Sequence, residues 1–210
     1  MLSLPKMTKL ISKLTDPQKD TVTKCGFGSL LDLKCTALPN PLIFQLAKQY
    51  DPQSKSVKFE GGQFFKLNPL TIHQILGIPF GGKKVPSKAS SRAKAVILKD
   101  TNQSNQAAKI EDLISMIDAK LAGDKFARIF LLITFGIFLC PTSNSRVSHH
   151  FYEALLDVKE IKNYDWSSVV VEALHKGIIS FQSNSTKGNT SGKATLGVCL
   201  FSLVVSIPQL

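Results

Sequence analysis

The chain has 210 residues, which is enough for one buried core but leaves little room for a second domain of ordinary size. Hydrophobic residues make up 43% and charged residues 20%, a balance that excludes an intrinsically disordered chain. The formal net charge of +11 arises from 26 Lys and Arg against 15 Asp and Glu, so charge favours a polyanion or an acidic protein as the partner.

The first elements of the chain are helices with recognisable start signals. Residues 1–14 form an N-terminal segment ahead of the expected domain. A helix begins at Thr15, because its hydroxyl and the amide of Gln18 can satisfy backbone N–H groups reciprocally. A second helix begins at Asn40, where a capping side chain precedes a proline that suits the first turn.

A small β-hairpin is expected at about residues 56–67. Val57 and Phe59 alternate with lysines in the first strand, and Phe65 alternates with polar residues in the second strand. Asn68 then provides the cap of a third helix.

Residues 83–109 form the most basic part of the sequence. Between Gly82 and Ile110 there are seven cations and one acid, Asp100, with little apolar periodicity. We expect a flexible, disordered basic loop inserted into the domain. Its possible nucleic-acid contacts are Lys83, Lys84, Lys88, Arg92 and Lys94, which could lie along phosphates and give a salt-dependent affinity.

The C-terminal half is more apolar. A helix over about 125–139 is apolar on nearly every side, so it should be the centre of the core. Asp165 caps a further helix, and a Ser- and Gly-rich linker at 183–193 precedes a last apolar helix.

The fold class is therefore mainly α, a single helical domain over 15–207 with one small β-hairpin. The longest apolar runs are too short to cross a membrane.

No group of residues indicates a reaction. The two adjacent histidines, His149 and His150, point about 100° apart on a helix and cannot share a ligand. We expect no catalytic residue, no cofactor, no metal site and no small-molecule substrate. The cysteines lie far apart in the sequence, which favours buried reduced thiols over a disulfide framework. They are Cys25, Cys35, Cys140 and Cys199.

Several short motifs, taken together, resemble a family of plant proteins. They are Gly26-Phe27-Gly28, Leu31-Asp32-Leu33-Lys34-Cys35, Asp51-Pro52, Leu76-Gly77-Ile78-Pro79, Cys140-Pro141 and Asn163-Tyr164-Asp165-Trp166. In this order they are similar to transposon-derived proteins of the plant mobile domain ("aminotransferase-like") type and to N-terminal regions of SUMO-protease-like transposon proteins. The resemblance implies a nuclear helical module, and it carries no catalytic residue over to this chain.

These observations lead to one main hypothesis and two alternatives. The main hypothesis is a non-catalytic helical interaction module with a protein partner, nuclear or otherwise cytoplasmic. The first alternative is non-specific nucleic-acid binding through the basic loop at 83–109. The second is an accessory region separated from a cysteine protease domain.

Overall fold

A computed structural model of the chain describes residues 3–34, 37, 40–59, 62–141 and 144–186. The mainly helical architecture is confirmed, because these residues form eight α-helices and a three-stranded antiparallel sheet. The helices are α1 (Leu4–Ile11), α2 (Asp16–Lys24), α3 (Asn40–Gln49), α4 (Pro69–Leu76), α5 (Ser91–Asp100), α6 (Ile110–Met116), α7 (Gly123–Thr134) and α8 (Trp166–Thr186). The strands are β1 (Tyr50–Asp51), β2 (Ser56–Lys58) and β3 (Phe64–Lys66).

The N-terminal residues share the core of the rest of the described chain. Leu4 and Met7 of α1 are buried, because helical spacing places them on one apolar face. The backbone N–H of Ser3 donates to the carbonyl oxygen of Ile137 at 3.0 Å. The boundary expected after residue 14 is therefore not a boundary of the core.

Two of the helix starts read from the sequence are formed by the expected side chains. The Thr15 backbone N–H donates to Gln18 Oε1 at 3.0 Å, and the Thr71 N–H donates to Asn68 Oδ1 at 3.0 Å. Gln18 has a second role, because its buried Nε2 donates to two carbonyl oxygens between α6 and α7, at 2.7 and 2.8 Å. This side chain therefore joins the start of α2 to the segment that precedes α7.

The hairpin is confirmed and has a third strand beside it. β2 pairs antiparallel with β3, with Val57 opposite Phe65. β1 pairs antiparallel with the other edge of β2, with Tyr50 opposite Val57. Tyr50 and Val57 are both buried, so the centre of the sheet contributes to the core.

The helix expected over 125–139 is confirmed as the centre of the core. Every residue over 126–139 is buried. After α7 the chain continues as a π-helical turn, Phe135–Leu139, in which the Cys140 N–H donates to the Phe135 carbonyl at 2.8 Å. Phe135 stacks on Trp166 of α8, with ring centroids 4.6 Å apart. The two longest apolar elements are thus joined by aromatic packing.

The segment 83–109 is not the disordered loop that its composition suggests, because it contains α5. Ala93 and Ile97 lie four residues apart on one helix face and are fully buried. Asp100, at the end of α5, forms an ion pair with Arg128 of α7 at 3.1 Å. The helix is held by two apolar residues and one ion pair with a distant residue. Two apolar positions are too few to give the sequence a clear helical periodicity.

The C-terminal expectations are tested only in part. Residues 183–186 of the expected linker at 183–193 belong to α8. The rest of that linker and the expected last helix, which ends near residue 207, lie outside the described residues. Within the described ranges, no helix combines the length and the apolar character that crossing a membrane requires.

Candidate binding cleft

A cleft of about 660 Å³ lies between three parts of the chain that are distant in sequence: segment 82–87, the turn at His150, and the first half of α8. Its volume is within the range of about 300–1,000 Å³ that ligand pockets usually have. The apolar side chains lining it are Val85, Pro86, Cys140, Phe151, Val169 and Ala173. The polar ones are Lys84, Ser87, His150, Asp165, Ser168, Glu172 and Lys176.

Segment 82–87 is held in place by backbone hydrogen bonds to the residues ahead of α8. The Lys83 N–H donates to the Asn163 carbonyl and the Asp165 N–H donates to the Lys83 carbonyl, each at 2.8 Å. Gly82 has φ +81°, and a Cβ there would lie 2.5 Å from the Asn163 oxygen. Only glycine permits this close approach without strain. One wall of the cleft is therefore fixed by the chain itself.

The opposite end of the same segment is held by two side chains. His150 Nδ1 lies 3.0 Å from the Ser87 carbonyl oxygen, and Glu153 Oε2 accepts from the Ser90 N–H at 2.7 Å. Because a carbonyl oxygen only accepts, Nδ1 of His150 carries a proton, and Nε2 is the ring nitrogen left for a ligand. The Ser90 hydrogen bonds, helped by the charge of Arg92, lower the pKa of Glu153.

The acidic groups on the α8 side already have partners. The Asp165 carboxylate accepts from the Ser168 N–H at 3.1 Å and from the Ser168 hydroxyl at 2.6 Å, which caps the helix. Glu172 lies 4.0 Å from Lys176, one turn further along α8. The Asp165 carboxylate is thus hydrogen-bonded in the helix cap, and Glu172 has a cation of its own helix beside it.

A thiol, an imidazole and a carboxylate line this cleft together, and cysteine nucleophiles use the same three groups. In such a triad the carboxylate orients the imidazole through Nδ1. Here Nδ1 of His150 bonds to the Ser87 backbone, and the Asp165 carboxylate bonds to Ser168. Asp165 therefore does not orient His150. Among the described residues, no group of three or more His, Cys, Asp or Glu side chains is arranged to hold a metal ion.

The five predicted cations do not all face the same way. Lys83 pairs with Glu160 at 2.7 Å, and that hydrogen bond is the main reason that the pKa of Lys83 is raised and the pKa of Glu160 is lowered. Lys84 lines the cleft, whereas Lys88, Arg92 and Lys94 are exposed outside it. Arg92 and Lys94 are two residues apart on α5, so they point roughly 160° apart around the helix.

The sequence did not reveal the other residues of the cleft. His149 and His150 were considered in the sequence only as possible metal ligands. Val169 and Ala173 of α8 are half-buried and line the cleft. The sequence pattern that could have indicated the cleft is the helical spacing of residues 169, 173 and 176, which places two apolar residues and a lysine on one face of α8.

A protein-family model described as "Domain of unknown function (DUF8566)" matches residues 2–204. No curated protein and no solved structure matches the chain. The family match overturns the resemblance to the plant mobile domain and transposon-derived proteins, which was wrong. The short motifs behind it are capping and turn signals, which recur in unrelated helical proteins because the physics of helix ends requires them.

Proposed function

The chain belongs to the DUF8566 family, and from this premise we propose that it is a non-catalytic interaction module that binds a partner protein in the cleft. The observation that carries the proposal is the cleft of about 660 Å³, one wall of which, segment 82–87, is fixed by backbone hydrogen bonds within the chain. A preformed site loses little conformational entropy on binding, which favours affinity.

The state of the polar groups supports recognition rather than turnover. An acid or base catalyst must reach the proton that it transfers. Asp165 is engaged in capping α8, and Glu172 lies beside Lys176. The groups left for a ligand are the Lys84 ammonium, Nε2 of His150 and the apolar side chains, which suit binding.

A cleft-blocking variant tests this proposal. Ala173→Phe places a ring inside the cleft, and Ser180→Phe places the same ring on an exposed position of α8 outside it. Proteins captured from a cell extract by the wild type and by Ser180→Phe should be absent with Ala173→Phe, and nuclease treatment should not change the result. An identical set of captured proteins for all three baits would contradict the proposal.

A second candidate function is sequence-independent nucleic-acid binding through the basic segment. Exposure of Lys84, Lys88, Arg92 and Lys94 favours it, since each could reach a phosphate. The opposed directions of Arg92 and Lys94 limit how many of these groups one duplex can contact.

Salt dependence of binding to duplex DNA tests the second candidate. Changing the four cations to Gln should reduce the slope of log K against log salt by about 0.9 for each lost phosphate contact. The matched control changes four exposed lysines elsewhere, Lys9, Lys13, Lys48 and Lys58, and so removes the same charge. Equal slopes for the two quadruple variants would exclude a specific role of the basic segment.

A further inference from the structure

The outer face of the three-stranded sheet carries an exposed aromatic ring between two lysines. Side chains alternate along a strand, and residues paired across two strands share a face. Val57 and Phe65 therefore point towards the core, whereas Lys58, Phe64 and Lys66 point away from it. We propose that this outer face binds single-stranded nucleic acid, with a base stacked on Phe64 and phosphates beside the two lysines. None of these residues lines the cleft, so the inference does not depend on the proposed function.

The ring of Phe64 is the feature that points to a base. Phe64 is 68% exposed, more than any other large hydrophobic side chain that the structure describes. A stacked base would remove the apolar surface of this ring from water, which is favourable. Proteins hold the unpaired bases of single strands on aromatic side chains, and such stacking tolerates any base. The bases of a duplex are stacked on one another and are not available to the ring, so the site selects single strands.

The two lysines are placed beside the ring by the register of the hairpin. Lys58 lies directly opposite Phe64, and Lys66 lies two residues further along β3. The Phe59 N–H donates to the Gln63 carbonyl at 2.8 Å, so Lys58 and Phe64 form the next, non-hydrogen-bonded pair, in which side chains are closest. The Cβ atoms of such a pair are about 4.5–5.5 Å apart, and residues two apart on a strand are separated by about 7 Å. A nucleotide stacked on the ring therefore has an ammonium group on two sides.

The charges on this face favour an anion. Lys58 and Lys66 are exposed, and neither forms an ion pair with a residue that the structure describes. Asp51 is the one acid in the described strands, and it lies on β1, which β2 separates from Phe64. Glu60, near the hairpin tip, lies outside the described residues, and with it residues 50–67 contain three lysines against two acids. The net charge of +11 adds a long-range attraction for a polyanion.

Fluorescence anisotropy with defined probes tests the part assigned to the ring. The probes are labelled oligothymidylate and oligouridylate of about sixteen nucleotides, and the duplex of oligothymidylate with oligoadenylate. The single strands should bind more tightly than the duplex. Phe64→Leu keeps an apolar side chain but removes the ring, and should weaken single-strand binding by about five- to a hundredfold, whereas Phe64→Tyr should bind like the wild type. The matched control is Phe80→Leu, which removes another exposed ring and should have no effect.

Salt dependence tests the part assigned to the lysines. Changing Lys58 and Lys66 together to Gln should reduce the slope of log K against log salt by about 0.7 for each phosphate contact that is lost. The control changes two exposed lysines near the N-terminus, Lys9 and Lys13, and so removes the same charge. Equal slopes for the two double variants would show that only the total charge matters and would overturn the site. Lys58 remains a control for duplex binding by the basic segment, because the sheet site requires an unpaired base.

The remaining outcomes are also decisive. A preference for one of the two single strands identifies the ligand as DNA or RNA, and either result supports the site. If Phe64→Leu binds the single strands like the wild type, or if the duplex binds as tightly as they do, no base stacks on the ring and the inference is wrong. If no probe binds, and Phe64→Leu abolishes a dimer seen by analytical ultracentrifugation, the face joins two copies of the chain and the inference is again wrong. Phe64 is largely in solvent, so its replacement does not threaten the fold.

Discussion

Replacing Arg128 with Met should lower the free energy of unfolding by about 3–5 kcal/mol, the usual cost of removing one partner from a buried ion pair. The Arg128 side chain is 11% exposed, and its Nη1 donates to Asp100 at 3.1 Å. Nε and Nη2 donate to the carbonyl oxygens of Leu155 and Leu156, at 3.1 and 3.3 Å. Met has a similar volume but donates nothing, so a carboxylate and two carbonyls lose their donor together.

Urea unfolding at pH 7 measures this loss, with far-UV circular dichroism and the fluorescence of Trp166 as two probes. Trp166 is the single tryptophan of the chain. The control is Glu172→Gln, which breaks an exposed pair on α8 and should change stability by less than about 1 kcal/mol. A loss of less than about 1 kcal/mol for Arg128→Met would refute the reasoning that this network is buried and cooperative.

Three further predictions concern the backbone and buried titratable groups. Gly82→Ala should lower the free energy of unfolding by about 1–3 kcal/mol, which is more than Gly81→Ala should lower it. Both glycines have positive φ, but only a Cβ at position 82 would meet a carbonyl oxygen. Equal losses of stability for the two variants in thermal unfolding would count against this reason. Burial raises the pKa of the Cys25 thiol to about 11 from 9.0, so between these values the unfolded chain ionises first and stability falls as pH rises. Urea titrations across that window should show a shallower fall for Cys25→Ala, and parallel curves would contradict the assignment. Gln18→Glu places a carboxyl group against two carbonyl oxygens at 2.7 and 2.8 Å, which should raise its folded-state pKa above the usual value of about 4.3. This variant should therefore be closer to the wild type in stability near pH 4 than at pH 7, and a deficit independent of pH would exclude that explanation.

Elements set by local chemistry were predictable from the sequence. The cap at Thr15, the cap at Asn68 and the hairpin around Val57 each depend on residues that are neighbours in the chain, so their patterns are visible there. The central helix was equally clear, because a helix that is apolar on all sides has only the core to occupy. These features established the mainly helical class.

Elements held by distant contacts were not predictable. Helix α5 depends on the ion pair between Asp100 and Arg128, and no local pattern shows that these two residues meet. The cleft is assembled from residues near 84, 150 and 169, which the packing of α8 brings together. A site of this kind leaves no spacing that could be recognised in the sequence. The family resemblance was wrong for a related reason, since it relied on helix-end motifs that many folds share.

The π-helical turn at Phe135–Leu139 has an evolutionary consequence. Such a turn contains one residue more than an α-helical turn, so deleting one residue would restore regular helical bonding. Because the wide turn absorbs its extra residue locally, the buried side chains on either side of it keep their places in the core. Gain or loss of a single codon at this turn is thus a route by which lineages change the length of the chain without repacking the core.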